Sequence, residues 1–484
     1  MTKETDFLII GSGIAGLAAA TYLGRLGKVT VITKGEAKNT NTYWAQGGVA
    51  TVMLKDDSFE SHIADTLAAG LGHCNEAAVR QVVFGGSKAI RFLESLGLKM
   101  DSEPMLEAGH SHPRIWRSSD FTGRDILEAL LKGVQRDKNI EILDQTDAYE
   151  LIVQDEGCIG AYVRPADGEP YPIVARATIL ATGGSGQLFG RTSNTLGSGG
   201  DGLALAVNAG LELADMEFMQ FHPTALEKPD NGRHFLLSET LRGFGALVVN
   251  SAGQDFLKKL DDRGELAPRD LVARAIFLEQ HEGPVYLDMR SLEANSVKQK
   301  FPNIFKALKG YGYDLTEDLI PITPVAHYAC GGVVVDLKGA TQLPGLHAVG
   351  EVAATGVHGA NRLPSNSLLE SLVFAQVLAD SLEKRGSAGE LKNVTLKTSE
   401  VPKVVTEDIN QVKAYAKRLG KIMWENAGII RTREGLDKAK REIVAIPARD
   451  YRIQHRQLVC YKIVEACLAR PESLGTHYMS NEIA

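Results

Sequence analysis

Three glycines, Gly11, Gly13 and Gly16, recur in the stretch GSGIAG, after the apolar run DFLII and before LAAATYLGRLG. Small residues at that spacing let a main chain approach a pyrophosphate closely, and the helix that follows would present its N-terminus to the phosphate charge. The acidic ribose ligand of NAD-type turns is missing at the end of the second strand, where VITKGE offers Thr33 and Lys34. A hydroxyl and an ammonium suit ribose or phosphate contacts of a different kind. Farther along, FHPTAL sets His222 directly before Pro223 between apolar neighbours. A residue before proline is driven out of the helical region, so the local expectation is a turn carrying a hydrogen-bonded histidine.

Two later segments define the cofactor. ILATGG is an apolar strand ending in glycines, and GLHAVGE is another, ending in Gly350 and Glu351. Flavoproteins with a dinucleotide domain carry both after a glycine turn, and their acidic residue lies near the ribityl and pyrophosphate. The bland alternative for Glu351 is a carboxylate favoured by a helix dipole. The order of the three segments favours FAD over NAD.

The elements that must position these residues follow from periodicity. DFLII, the glycine turn, LAAATYLGRLG and VTVIT read as strand, turn, helix, strand. An amphipathic segment spans Glu76 to Leu96, and a hairpin or meander is expected in IEILDQTDAYELIVQDEGCIGAYV. From about Glu217 to Tyr328 the glycine-strand pattern lapses into turns and helices such as PRDLVARAIFLEQ. It resumes with GGVVVD, and from about Val401 only helices are expected. The fold class expected is α/β: a Rossmann-like FAD-binding domain (1–216 and 329–395), an inserted α+β capping domain (217–328) and a C-terminal helical domain (401–484). The stretch EKRGSAGELKNVTLKTSEVPK reads as the linker to the helices.

At 484 residues the chain needs more than one core. A net charge of -7 invites neither nucleic acid nor an acidic membrane surface. The five cysteines are scattered, without metal-knuckle spacing, as expected for a reducing cytoplasm. The first apolar run is broken by glycines and lacks a basic leader, and no uninterrupted run is long enough to span a bilayer.

NTYWAQGGVA, GHSHPRI, QFHPTAL, LLSETLRG, ELAPRDLVARAI, AHYACGGV and GVHGANRLPSNSLLES occur in order over nearly the full length. Together they resemble the L-aspartate oxidase family, in the superfamily that also holds the flavoprotein subunits of succinate dehydrogenase and fumarate reductase. The resemblance implies oxidation of L-aspartate to iminoaspartate, the first step of quinolinate and NAD synthesis. Oxygen (giving hydrogen peroxide) or fumarate would reoxidise a non-covalent FAD. L-aspartate, fumarate and oxygen are thus the expected partners, together with quinolinate synthase; no nucleic acid, membrane or metal is expected.

The residues matching the family's pattern are as follows. Arg269 and Arg362 match its substrate arginines, whose planar fork meets a carboxylate bidentately. Pro268 is expected in the first turn of a helix, fixing where Arg269 points. His222 and His327 match active-site histidines able to donate to a substrate carboxylate, with Gln220 beside them. Ser238 stands where threonine is common. Glu239 follows as an orienter of Arg269 or Arg242, or as a plain salt bridge. Glu107 matches the position proposed to meet the α-ammonium, and would select an amino acid over succinate. Phe244 replaces a usual acid, with no compensating residue evident in the sequence. Around the cofactor we expect Gly11, Ser12, Gly13, Ile14, Ala15, Gly16 and Lys34. The segment Asn41, Thr42, Tyr43, Trp44, Ala45, Gln46, Gly47 and Gly48 joins them, with Asp147, Ala148, Asp201, Glu351, Ser367 and Leu368.

Two rival readings differ in class. A fumarate reductase or succinate dehydrogenase flavoprotein subunit usually carries a flavin-linking histidine where this chain has Asn41. A non-enzymatic flavoprotein would have no use for the paired arginines and histidines.

Overall fold

The computed structural model describes residues 2–384 and 401–480. Most of the linker stretch therefore lies outside the described residues.

The glycine turn sits where its sequence places it. Strand β1 (Lys3–Ile10) runs into helix α1 (Ile14–Leu23), which returns to β2 (Val29–Ile32). β1 pairs in parallel with β2, and β2 with β3 (Ile140–Leu143). The expected meander follows as β4 (Thr146–Gln154), β5 (Gly157–Pro165) and β6 (Tyr171–Leu180), joined antiparallel. β6 is shared. Its first half pairs with β5, while β1 runs parallel along nearly its whole length on the other side.

Both faces of the parallel sheet are buried, and alternation along β1 assigns its side chains. Phe7 and Ile9 join a core with α1 and the helix Thr122–Arg136; Leu8 and Ile10 join a second core with Asp201–Asn208 and the C-terminal helices. Burial on both faces is the usual condition of a parallel sheet.

A separate antiparallel sheet holds the middle of the chain. It comprises β7 (Met219–Asp230), β8 (Arg233–Leu236), β9 (Leu247–Val249), β10 (Val285–Asp288) and β11 (Ile320–Ala329), in the order β8-β7-β11-β10-β9. Here the local expectation fails: FHPTAL is not a turn but part of β7. The ladder with β11 shifts register between Gln220 and Phe221, and again between His222 and Ala225. Proline lacks the ladder N–H, and such irregularities are where a strand tolerates it. Helix α2 (Arg269–Glu279) packs on this sheet through Val272 and Ile276. Phe244 faces its core, edge-on to Phe301 at 5.4 Å between centroids. An apolar contact thus occupies the position where a charge was expected.

The chain then re-enters the first sheet. β12 (Leu346–Ala348) pairs in parallel with Thr178 to Leu180 of β6, and α3 (Asn366–Lys384) packs over α1. Three helices follow, α4 (Ile409–Ala427), α5 (Arg433–Val444) and α6 (Tyr451–Ala469). Among the described residues no helix is long and apolar enough to cross a membrane.

Candidate functional site

A cavity of about 450 Å³ opens along the carboxyl ends of the parallel strands. Its wall includes Gly11 to Ala15, Lys34, Asn41, Thr42, Trp44 to Gln46, Asp147, Ala148, Asp201, Glu351, Ser367 and Leu368. The crevice at strand ends is where open α/β sheets bind nucleotides. Gly11 has φ +118°, and a Cβ there would collide with the Ala181 carbonyl. At Gly13 the nearest atom to such a Cβ is Thr42 Oγ1 at 3.6 Å, so the backbone faces open space. Gly13, the N-cap residue, has no side chain to cap α1; Thr42 Oγ1 accepts from Ile14 N–H at 3.1 Å, and the N-terminus of α1 borders the cavity.

Four expected cofactor residues lie outside this wall. Gly16 serves packing, since a Cβ there would strike the Gly11 carbonyl, and Gly48 lies against the Trp116 carbonyl. A Cβ on Gly47 would lie 3.2 Å from Ser365 Oγ and 3.5 Å from Glu107 Oε1, so Gly47 borders the charged cluster instead. Tyr43 stacks edge-on against Trp44.

The donor set fits a flavin dinucleotide. Gln46 Oε1 and Asn194 Oδ1, both on wall residues, are buried without a hydrogen-bond partner. Lys34 pairs with Asp201, whose carboxyl is pushed up by burial and pulled below its usual range chiefly by that ammonium. Burial and the neighbouring Asp201 raise Asp147 to about 6, and Tyr451 from α6 donates to its Oδ2 at 2.8 Å. Burial likewise lifts Glu351 to about 7, though Ala329 N–H donates to it at 2.9 Å. Asn41 accepts from Thr195 N–H at 2.8 Å and donates to Ser198 Oγ at 2.8 Å, which ties the loop from Ser193 to Ser198 over the cavity. Sequence reading missed that loop, along with Thr182, Arg233 and Tyr328; the TSNTLGS run was its one visible signal.

At one end of the cavity, marked by His327 and Ser367, lies a buried charged cluster. β7 brings Gln220 and His222, β11 brings His327, the start of α2 brings Arg269, and the loop before α3 brings Arg362. Pro268 is the N-cap residue of α2 and not part of its first turn, so Arg269 occupies the first helical position. Arg269 Nε donates to Glu239 Oε2 at 2.5 Å, and Arg242 lies 3.4 Å from the same oxygen. Glu239 thus serves both arginines. Burial would raise its carboxyl, yet Arg269 and Arg242 hold it below the usual range. Ser238 caps the short helix Glu239–Gly243, its Oγ accepting from Thr240 N–H at 3.4 Å and from Thr240 Oγ1 at 2.9 Å.

Arg362 is different. It is 3% exposed and forms no ion pair among the described residues; its Nε has no partner, and Nη1 donates to Ser367 Oγ at 3.2 Å. Burial, then Arg269, lowers it to about 10. Burial also holds His222 and His327 well below their ordinary value, helped by the arginines, and their rings lie 5.1 Å apart. Both are neutral. The Thr224 N–H and the Thr224 carbonyl each lie 3.2 Å from His222 Nδ1, the first matching a proton on Nε2 and the second a proton on Nδ1.

Glu107 accepts from Ser365 Oγ at 2.6 Å. Burial and then Glu239 push its carboxyl up, while Arg269 and Arg362 oppose. It does not pair with Arg114, which is satisfied by Asp57 at 2.7 Å and Asp65 at 2.5 Å. His110 is engaged by Arg114 and the Pro364 carbonyl.

Known proteins are similar to this chain over nearly its whole length. Residues 6–368 match the family model described as an FAD binding domain. An L-aspartate oxidase of Pseudomonas aeruginosa is 39% identical over 98% of this chain and 95% of its own. A chloroplastic L-aspartate oxidase of Arabidopsis thaliana is 38% identical over 99% of this chain and 81% of its own. Among solved structures, an E. coli quinol fumarate reductase superposes with a TM-score of 0.90 at 28% identity, covering 100% of this chain and 92% of that one. With relatives at 38–39% identity spanning nearly the whole chain, the chain belongs to the L-aspartate oxidase family.

Proposed function

We propose that this protein is an FAD-dependent oxidoreductase that converts L-aspartate to iminoaspartate, the entry step to quinolinate and NAD. The observation that carries the reading is Arg362: a buried guanidinium with no carboxylate of its own, separated from Arg269 by Gln220. A buried cation without a partner is costly, and an incoming carboxylate relieves that cost. Together with Arg269, whose Nε is held by Glu239, Arg362 suits a dicarboxylate.

The flavin, when bound, supplies the two-electron acceptor for the hydride leaving the substrate Cα. The chain's own residues do the rest. Arg362 and Arg269 take the two carboxylates, which orients the Cα–Cβ unit. His222 Nε2–H donates to a substrate carboxylate, and neutral His327 does the same from the opposite strand. Ser238 keeps its hydroxyl proton available while its oxygen caps the helix. Glu107 meets the α-ammonium, whose positive charge draws its raised carboxyl back toward the ionised form. In fumarate reduction Arg269, desolvated and backed by Glu239, is the proton donor.

Oxygen or fumarate accepts the electrons afterward. The finer assignments belong to the same reading: a cofactor unit of 1–216 and 329–395, a capping unit of 217–328, a helical unit of 401–484, a cytoplasmic setting, and quinolinate synthase as partner. Separate sheets for the first two units support that division. A component of a fumarate-reducing complex is the competing reading, favoured by the structural likeness and disfavoured by Asn41, whose amide is no nucleophile. Purified protein assayed with L-aspartate, D-aspartate, L-glutamate and succinate, with peroxide detected, tests the proposal. Turnover of L-aspartate is expected; turnover of succinate alone would replace it with the competing reading.

A further inference from the structure

The stretch GVHGANRLPSNSLLES holds two polar residues that the dicarboxylate reading leaves unused, His358 and Glu370. Both are buried, and both meet Tyr328. Tyr328 O–H donates to Glu370 Oε2 at 3.0 Å, and His358 Nε2 lies 2.9 Å from that oxygen and 3.1 Å from the tyrosine oxygen. Thr355 Oγ1 donates to Glu370 Oε1 at 2.5 Å. Burial alone would raise the Glu370 carboxyl; His358 and the other donors hold it below the usual range. Burial, then Glu370, pushes the Tyr328 phenol well above its own, so the phenol keeps its proton.

Over the face of this tethered ring sits Arg362, its Cζ 4.5 Å from the centroid. Its other polar anchor is the Ser367 hydroxyl at 3.2 Å. We propose that Tyr328 is a positioning residue for Arg362: its ring face carries the guanidinium where a dicarboxylate arrives, and Glu370 and His358 fix the ring through its hydroxyl. The inference rests on the reading of Arg362 as a carboxylate-binding residue.

A carboxylate could fix an arginine equally well, but it would neutralise the charge and compete with substrate. An aromatic face attracts a cation through its quadrupole and supplies no full negative charge. Arg362 is thereby held in place while its charge remains available. The hydrogen bond to Glu370 polarises the phenol O–H and enriches the ring face in electron density. Glu370 therefore acts on Arg362 through the ring, without touching it.

The test is calorimetric titration of succinate into the FAD-loaded protein. Succinate is a dicarboxylate without an ammonium, so Glu107 has no partner in it. Arg362→Leu should abolish measurable binding. Tyr328→Leu should weaken it about tenfold or more, the effect of losing a desolvated cation–π contact, with the KM for L-aspartate rising more than kcat falls. Tyr328→Phe, which keeps the face, should stay within about threefold. Flavin absorbance reports whether each variant retains its cofactor. Should Tyr328→Leu lose it, phenylalanines of increasing fluorination at position 328 decide: stepwise loss of succinate affinity supports the platform, and a flat series overturns it. Wild-type succinate affinity in Tyr328→Leu, or equal losses in the Leu and Phe variants, would also overturn it. Unchanged affinity in Arg362→Leu would instead remove the reading of the site on which the proposal stands.

Discussion

Gln220 accepts a hydrogen bond from Arg269 Nη1 at 3.0 Å through its side-chain oxygen, while its amide donates to the Arg362 carbonyl at 2.8 Å and to Asn361 Oδ1 at 2.7 Å. One uncharged side chain therefore sets the spacing between a charged side chain and the backbone of another. Gln220→Leu keeps the bulk and leaves Arg269 Nη1 without its acceptor, at a cost of roughly 1–3 kcal/mol. The expected result is a five- to hundredfold loss in kcat/KM for L-aspartate with FAD content unchanged, read by steady-state kinetics on flavin-normalised enzyme.

Arg269→Leu and Arg362→Leu should each nearly abolish aspartate oxidation while leaving the flavin bound, because neither arginine lines the cavity. Losing one charge-assisted carboxylate contact in a desolvated site costs about 2–5 kcal/mol. Loss of flavin together with activity would mark the arginines as structural.

Glu107→Gln keeps shape and the Ser365 hydrogen bond but removes the charge facing an ammonium. L-aspartate oxidation should fall by roughly 1–3 kcal/mol in kcat/KM, about ten- to a hundredfold. Fumarate carries no ammonium, so its reduction should change far less. Equal losses in both directions, measured on one preparation, would take Glu107 out of substrate selection.

Acid precipitation should leave the yellow flavin in the supernatant. The Asn41 amide is engaged with Thr195 and Ser198 and has no nucleophilic nitrogen to offer the cofactor. Flavin pelleting with the denatured chain would show a covalent bond elsewhere.

Asp147 makes stability depend on pH. Its folded value, about 6, lies above the ordinary 3.8, because burial and then Asp201 favour the protonated form. The native state therefore binds more protons than the unfolded state, and this group costs stability as pH rises from about 4 to about 6, with the full cost present above that. Asp147→Asn keeps an acceptor for Tyr451. In the apoprotein it should raise Tm at pH 8 and leave it nearly unchanged near pH 4. Calorimetric melting at the two pH values checks the sign.

Much of the frame was legible locally. The glycine turn, the meander and the helices Glu76–Ser95 and Arg269–Glu279 each follow from a periodicity contained in a short window. FHPTAL was not, because its conformation is set by a partner strand about 100 residues later, and the irregular ladder accommodates what proline otherwise forbids. A separation of 42 residues hid the pairing of Tyr328 with Glu370, which joins the end of one strand to a helix of another layer. Gly16 and Gly48 were visible as glycines, but a glycine needed for close packing and one needed beside a phosphate look alike in sequence.

The cavity wall draws on the first 15 residues and also on Glu351, Ser367 and Leu368, while β12 closes against β6 only through Leu346–Ala348. A chain emerging from the ribosome thus makes its glycine turn first and cannot complete the nucleotide's enclosure until some three-quarters of its length has been synthesised. Until then the edge of β6 at Thr178–Leu180 is unpaired and open to wrong partners. Supply of FAD during synthesis would act late, on a chain that still lacks its C-terminal helices, and its effect on yield would come from capturing the closure of β12 against β6.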